Sequence, residues 1–300
     1  MPARYPPARP GAGRPGLLVF LAAAFGLAWP VQVGLALLAR GTGLSASPWL
    51  VLPVAFLLMW PPALGAYLAR RVEGAGFADA GLRWPAWGYV ILAWFMPALL
   101  TLVSTAYSLA IYPLDAELST LRSMLAQTGR EVPVPVEILL AGQVAAGLTV
   151  AVLINSLFAF GEELGWRGYL LPRLMGRLGT WPGIILHGAV WGLWHGPLIL
   201  LASYNYPGHP PPYLPGVFLF TVFCILLGII FAWLRLASGS VLPPTIAHGA
   251  FNAIGGLPLL LLKGVDPAVA GPLWSPVGWV VLGLTAVILY RAQNPLKSAV

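Results

Sequence analysis

Long apolar runs, separated by short polar connections, make up most of the chain. Eight of them approach or exceed the length of about 20 residues that a helix needs to cross a bilayer: Gly16–Ala39, Pro48–Ala69, Ala86–Tyr112, Ile138–Leu171, Trp181–Ser203, Pro215–Leu234, Leu242–Leu262 and Pro276–Tyr290. Backbone groups in lipid must find partners within their own segment, so each run is expected to be helical. The pattern therefore predicts an all-α fold, a polytopic membrane helix bundle of about eight transmembrane helices.

Composition supports a membrane protein. Hydrophobic residues make up 59% of the 300 residues and charged residues 8%, whereas a soluble domain carries about 25% charged residues. A soluble globular class is thereby excluded. The one cysteine, Cys224, lies in an apolar run. An internal disulfide is therefore impossible, and Cys224 is expected to be a buried core residue.

The formal net charge of +7 is explained by topology rather than by a nucleic-acid partner. If the N-terminus is cytosolic, twelve of the sixteen Lys and Arg residues fall on the cytosolic side, and Arg40, Arg122, Arg130 and Lys263 fall outside. Cytosolic loops of membrane proteins carry such an excess. The sequence thus predicts an integral, multi-pass protein of the cell inner membrane with both termini in the cytosol.

Four regions are predicted along the chain. Residues 1–15 form a basic tail rich in Pro, Arg and Gly, a composition typical of disorder. Residues 16–135 hold the first transmembrane helices and an outer loop, and residues 136–256 hold a core with most of the candidate chemistry. Residues 257–300 form the C-terminal transmembrane helix and tail. The first apolar run has spanning length rather than signal-peptide length, so it is interpreted as an uncleaved helix.

Two adjacent acids, Glu162 and Glu163, follow the apolar residues of the fourth run, and Arg167 comes four positions later. A charge in or near hydrocarbon costs about 2.5 kcal/mol or more, so it needs a reason. Positions four apart share a helix face, which predicts a Glu163–Arg167 ion pair and leaves Glu162 to face a cavity. The alternative is an ion-pair cluster that only fixes helix packing.

The depth of these acids depends on how far the fourth helix extends. A continuous helix from Ile138 to Leu171 would have about 34 residues and a length of roughly 51 Å. Glu162 would then lie about 15 Å from the cytosolic end of the helix. The same rise of 1.5 Å per helical residue places His248 and His195 in the cytosolic half of the bundle. The side chains of Glu162, His195 and His248 are therefore expected to meet there.

Two further polar elements lie in apolar runs. His195 sits among tryptophans and glycines, and His248 precedes Asn252 by four residues, which places that pair on one helix face. A histidine and an amide aimed at one point can stabilise an oxyanion. The alternative reading is polar bonding between helices. His187, eight residues before His195, is interpreted as structural.

A carboxylate, two imidazoles and an amide suit the addition of water to an acyl carbon. In one reading Glu162, helped by a histidine, takes a proton from water. In the other, Glu162, His195 and His248 bind Zn²⁺ and leave an open position for water. The chain lacks an H-E-x-x-H motif and a G-x-S-x-G elbow. Metal-bound and metal-free hydrolysis therefore both stay open.

These elements resemble the signature of the CPBP superfamily, which contains the type II CAAX prenyl endopeptidases and bacteriocin-processing and self-immunity relatives. Its E-E-x-x-x-R motif is matched by Glu162–Arg167, and its H-x-x-x-N motif by His248–Asn252. Its aromatic-x-x-x-H motif, in which the aromatic residue is usually Phe, is matched by Trp191–His195. The resemblance covers Val136–Gly256, with the motifs in the family's order.

The resemblance implies an intramembrane endopeptidase, a metallopeptidase or glutamate peptidase, whose site opens to the cytosol. By analogy Glu162 and His195 activate water, Glu163 and Arg167 support them, and His248 with Asn252 hold the oxyanion. The implied partner is a membrane-associated or lipidated peptide or protein, cut near its C-terminus. A non-enzymatic membrane protein, such as a proton-coupled transporter or a self-immunity partner, is the alternative, since buried Glu and His also relay protons.

Overall fold

The computed structural model describes residues 14–42, 48–127 and 133–296, and these residues form fourteen α-helices and one π-helical turn. The helices are α1 Arg14–Thr42, α2 Pro48–Met59, α3 Pro61–Val72, α4 Trp87–Ser108, α5 Ser119–Gln127, α6 Val136–Leu148, α7 Val150–Gly165, α8 Leu171–Leu178, α9 Thr180–Trp194, α10 Gly196–Ala202, α11 Leu214–Ser238, α12 Leu242–Ile254, α13 Pro258–Leu261 and α14 Pro276–Ala292. The π turn is Trp166–Leu170. Apart from a single bridge between Leu114 and Leu262, the described residues show no β-structure, which confirms the all-α class.

Three described helices are long and apolar enough to cross a membrane by themselves, namely α1, α4 and α11. The number rises to five if two bent pairs, α6 with α7–α8 and α9 with α10, each count as one span. The protein is thus a multi-pass membrane bundle, but the predicted number of eight spans is not confirmed. Most of the predicted disordered tail, residues 1–13, lies outside the described residues.

The fourth predicted span differs from the single helix expected. The chain breaks at Thr149, and the two parts differ in direction by 49°. The carbonyl of Leu148, at this break, accepts a hydrogen bond from Trp94 Nε1–H at 2.8 Å. Thus a contact with α4 stabilises the break at Thr149.

The predicted end of this span at Leu171 is also wrong, because the helical path continues through the π turn and α8 to Leu178. Pro172, which follows Leu171, does not stop the helix. It instead occupies the first turn of α8, where its missing N–H costs little. The helix ends at Gly179, whose φ of 82° favours glycine. Because the helix breaks at Thr149 and extends to Leu178, it is not the straight helix of roughly 51 Å from which the depth of Glu162 in the membrane was predicted.

Breaks divide three other predicted spans. The second is divided at Trp60, because Pro61 and Pro62 begin a new helix there. The fifth bends by 41° at His195, just before Gly196 and Pro197. The seventh ends at Ile254, and the short helix α13 follows it. The predicted outer loop before the fourth span contains the short helix α5.

Helix α11 packs against α9 and α12, and α12 packs against α7. The candidate residues lie on α7, the π turn and α12 and at the C-terminal end of α9. Two glycines allow close contact between them. A Cβ atom on Gly192 of α9 would lie 2.6 Å from Thr221 Cα on α11, and one on Gly249 of α12 would lie 2.6 Å from the Ser156 backbone nitrogen on α7. Larger residues would separate these helices. Cys224 is buried in the core around them, as predicted.

Candidate active site

Glu162 lies near the C-terminal end of α7, where two tryptophans contact its carboxylate. Trp191 on α9 donates its indole N–H to Glu162 Oε2 at 2.8 Å, and Trp166, one turn after Glu162, donates to the same oxygen at 3.3 Å. The glutamate is only 2% exposed. Because both donors are neutral, they orient the carboxylate but supply no opposite charge.

Glu163 points away from Glu162 and forms the predicted ion pair. Arg167 Nη1 donates to Glu163 Oε1 at 2.8 Å, and both side chains are fully buried. His248 Nδ1 lies 2.9 Å from the same carboxylate oxygen. Glu163 therefore connects α7 with the π turn and with α12.

The guanidinium of Arg167 is enclosed by aromatic rings. Its Cζ lies 4.1 Å from the ring centre of Trp191 and 5.0 Å from that of Phe231. These cation–π contacts compensate part of the cost of burying the charge. Trp191 therefore contacts both Glu162, through its N–H, and Arg167, through its ring. The family pattern usually has Phe at this position, and a Phe ring could not donate a hydrogen bond to Glu162.

The hydrogen bonds fix the ring orientation of both histidines. His195 Nδ1 lies 2.9 Å from the carbonyl oxygen of Trp191, and a carbonyl can only accept, so Nδ1 carries the proton and Nε2 keeps its lone pair. His248 Nδ1 donates to the Glu163 carboxylate. Its Nε2 is then an acceptor in the neutral ring and a donor in the imidazolium.

A cavity of about 540 Å³ brings four of the predicted residues together. Glu162, His195, His248 and Asn252 all line it. Glu163 and Arg167 are not among the lining residues and lie behind the cavity wall. The remaining walls are largely aromatic and aliphatic, so the cavity presents a few polar groups on an apolar surface.

Several polar residues that line the cavity were not predicted as site residues from the sequence, Gln32 and Asn155 among them. Gln32 on α1 donates from Nε2 to the Trp194 carbonyl at 3.0 Å, and Asn155 lies on α7, seven residues before Glu162. Both could have been found. Gln32 is a polar residue inside an apolar run, and a separation of seven places Asn155 on the helix face of Glu162.

A second charged cluster lies outside the cavity. Arg173 pairs with Glu73 at 2.5 Å, and Arg70 pairs with Asp79. Arg70 also donates from Nη2 to the carbonyl of Gly168 in the π turn at 2.7 Å. The sequence predicts these arginines only as cytosolic charges. Their pairing with acids 9 to 100 positions away is not visible in the local pattern.

The predicted zinc ligands do not form a ready metal site. Among the described residues, no group of three or more His, Cys, Asp or Glu side chains has the proximity that a metal ion requires. One oxygen of Glu162 is already used by two indole donors. Glu162, His195 and His248 in this arrangement therefore do not fit a bound Zn²⁺, and the zinc hypothesis stays an untested prediction.

The fold and the site together define a multi-pass α-helical membrane protein with a buried acid–histidine centre. Residues 143–254, which include every candidate site residue, match the family described as type II CAAX prenyl endopeptidase Rce1-like. The chain is also 37% identical over 93 residues to the CAAX prenyl protease 2 of Methanococcus maripaludis, and the match covers 30% of this chain and 34% of that protein. It thus spans about a third of the length of this curated relative. Both comparisons confirm the resemblance to the CPBP superfamily.

Proposed function

We propose that the protein is an intramembrane endopeptidase and that the cavity is its active site. The observation that carries the proposal is the convergence of Glu162, His195, His248 and Asn252, from three helical segments, on one cavity. The match to the CAAX prenyl endopeptidase family supports the same reaction class. Because the cavity is mostly apolar, it suits a membrane-associated or lipidated peptide.

In the proposed reaction, water adds to the carbonyl carbon of the scissile peptide bond. Glu162 accepts one proton from the attacking water, and the Nε2 lone pair of His195 accepts a hydrogen bond from the other O–H of that water. The carbonyl oxygen becomes negatively charged, and His248 Nε2–H and the Asn252 amide donate to it. When the carbon–nitrogen bond breaks, the proton held by Glu162 passes to the leaving nitrogen. The products are a free amine and a carboxylic acid, which then ionises to the carboxylate and releases a proton.

Glu163 acts in this scheme through His248. To donate from Nε2 while Nδ1–H is bound to Glu163, the ring must be an imidazolium. The Glu163 carboxylate at 2.9 Å stabilises that charge. Arg167 donates to the same oxygen and holds the carboxylate in place. These two residues are therefore assigned positioning and electrostatic roles.

The test is cleavage of a peptide ending in S-farnesyl-Cys-Val-Ile-Met by the detergent-solubilised protein, followed by mass spectrometry in H₂¹⁸O. Hydrolysis puts one ¹⁸O into the new carboxylate. Glu162→Gln is expected to lower kcat by about 10²–10⁴-fold, the usual contribution of an acid or base, and His195→Ala should act similarly. Glu137→Gln and His209→Ala, which lie outside the cavity, serve as matched controls.

Unchanged turnover in both Glu162→Gln and His195→Ala would rule out the assigned roles. Substrate-dependent proton flux in liposomes, without a broken peptide bond, would support the transporter alternative instead. A chelator added to the active enzyme, with elemental analysis of the same sample, tests the zinc hypothesis. Loss of activity that Zn²⁺ restores would support a metal.

A further inference from the structure

The cavity extends along only part of the bundle, and helix α11 shows which part. Phe223 and Leu227 on α11 line the cavity. One turn further on the same face, the ring of Phe231 lies 5.0 Å from the Arg167 guanidinium. After another turn, Arg235 donates to a backbone carbonyl of the second charged cluster at 3.0 Å. The cavity therefore lies beside the first part of α11, and the buried ion pair and the second charged cluster lie beside the rest.

Helices α12 and α7 show the same order. Helix α12 begins at the end of the bundle where α11 stops. Its first residue in the cavity wall is His248, and Asn252 and, just after the helix, Gly256 follow at increasing distance from that end. Helix α7 runs in the opposite direction, and Glu162 is its last residue in the cavity wall. Glu162 and His248 therefore mark one end of the cavity, which we call the closed end.

Surface exposure changes in the same direction along the cavity. At the closed end, Glu162 is 2% exposed and His248 is 5% exposed. Asn252 and Gly256 are exposed, and Tyr204, which lines the cavity from the 203–213 loop between α10 and α11, is 49% exposed. The mouth of the cavity therefore lies at the end of the bundle that carries this loop.

Buried side chains fill the bundle beyond the closed end. Trp166, Arg167 and Tyr169 are all fully buried there, and Glu163 pairs with Arg167 at 2.8 Å. A substrate that came from this direction could reach Glu162 only by separating that ion pair. Separating a buried pair leaves two charges without compensation, which is strongly unfavourable. Access is therefore expected through the mouth.

The two ends of the bundle also differ in charge. Arg122 and Lys263 lie at the mouth end. The closed end carries more of the described basic side chains, namely Arg70, Arg71, Arg83, Arg173, Arg177, Arg235 and Arg291. Because the cytosolic side of membrane proteins carries such an excess, the closed end is assigned to the cytosol and the mouth to the outer side of the membrane.

We propose that the polypeptide substrate enters from the outer side of the membrane, through the mouth that Tyr204 and Gly256 line. This inference rests on the proposed function and narrows its substrate to a membrane-anchored polypeptide whose cleavage point is exposed on that side. A chain that stays in the cytosol would meet the closed end instead. The family resemblance implies the opposite, a site that opens to the cytosol.

A cysteine deep in the cavity tests the direction of access without any cleavage. Leu227→Cys puts a thiol near the closed end, and the probe is a small, charged methanethiosulfonate. Because a charged reagent crosses lipid poorly, modification should be about tenfold or more faster in right-side-out membrane vesicles than in inverted ones. Mass spectrometry of the intact protein measures the adduct.

Leu234→Cys is the matched control, because Leu234 lies on the same helix beyond Arg167, is fully buried and does not line the cavity. It should react in neither kind of vesicle, and the parent protein with Cys224 alone gives the background. Faster modification of Leu227→Cys in inverted vesicles, equal rates in both, or no modification in either would each overturn the outer opening.

A second variant tests whether the mouth is the path of the substrate. Tyr204→Cys, labelled in right-side-out vesicles with a bulky maleimide that cannot cross the membrane, should cleave the farnesylated peptide about tenfold or more slowly after solubilisation, because the adduct displaces the peptide from the catalytic groups. Ser123→Cys, which is exposed on α5 outside the cavity, should be labelled equally without loss of cleavage. Unchanged cleavage by fully labelled Tyr204→Cys would overturn entry at this mouth.

The two experiments separate this inference from the proposed function. If the parent protein cleaves no peptide, the proposed function fails, while the labelling of Leu227→Cys still decides from which side the cavity is reached. If the parent protein cleaves the peptide but Leu227→Cys reacts faster in inverted vesicles, the proposed function stands and entry from the outer side is disproved.

Discussion

At the scale of single residues, Glu163 is the residue on which most contacts behind the cavity wall depend. It is fully buried, and one of its oxygens binds both Arg167 and His248. Its other oxygen, Oε2, has no partner among the described residues. Removing the charge of Glu163 would leave Arg167 buried and unpaired, which is far costlier than losing an exposed pair.

Glu163→Gln is therefore expected to destabilise the protein by about 3–5 kcal/mol and to abolish most peptidase activity. The measurement is thermal unfolding in detergent beside the cleavage assay. Glu137→Gln breaks the exposed Arg122–Glu137 pair and should cost at most about 1 kcal/mol.

A double variant separates charge from packing in the same experiment. Glu163→Gln combined with Arg167→Met removes both charges, so it should recover part of the lost stability without recovering activity. Equal melting temperatures for Glu163→Gln and the parent would show that the pair contributes nothing to the fold.

The predictions for single residues relied on the separation of residues along one helix. That separation was sufficient to predict contacts within a helix. The separation of four residues predicted the Glu163–Arg167 pair and the common face of His248 and Asn252, and both are present in the structure. Spacing could not show that Trp191 donates to Glu162, because that contact joins residues 29 positions apart on different helices.

At the scale of helices, the π turn after Glu163 connects the site with the second charged cluster. Pro172 has no N–H, so the carbonyl of Gly168 lacks the donor that an α-helix would provide four residues later. Arg70 supplies a donor instead, at 2.7 Å. Arg70 thus stabilises the turn that carries Arg167, from a helix on the other side of α7.

Replacing Arg70 by Met should destabilise the protein by about 3 kcal/mol or more, because Asp79 and the Gly168 carbonyl lose a buried partner. Arg71 is the adjacent arginine on α3 and is exposed, so Arg71→Met should stay within about 0.5 kcal/mol. Thermal unfolding of the two variants under identical detergent conditions is the measurement. Similar melting temperatures for both would contradict the assigned role of Arg70.

Helix breaks were predictable only where the local sequence causes them. Two of the breaks have local signals that hydropathy alone does not detect. These signals are Pro61 and Pro62 in the second predicted span, and Gly196 with Pro197 in the fifth. The break at Thr149 has no proline beside it, and its local signal is limited to Gly147, two residues earlier. It depends on Trp94 of α4, whose indole satisfies the Leu148 carbonyl, so tertiary structure determines it.

At the scale of the whole molecule, the distribution of charge still predicts the orientation of the bundle in the membrane. Most Lys and Arg residues fall on the side assigned to the cytosol, together with both termini. Cys224 is buried, so a cysteine introduced at the surface would be the main reactive thiol.

Ala292→Cys, at the end of α14, should react with a membrane-impermeant maleimide only after the cells are permeabilised. Ser123→Cys, on α5, should react in intact cells. Both positions are exposed in the structure. The reverse labelling pattern would invert the assigned topology, and the parent protein with Cys224 alone is the control for background reaction.

The division of the second predicted span at Trp60 also bears on how the chain is made. Helices α2 and α3 have 12 residues each, and a helix of that length covers about 18 Å, well short of a hydrocarbon layer of roughly 30 Å. If α2 and α3 form the predicted second span, neither half alone is long enough to be released stably into lipid as it leaves the ribosome. That prediction then requires the translocation machinery to retain α2 until α3 has emerged, so that both enter the bilayer as one unit.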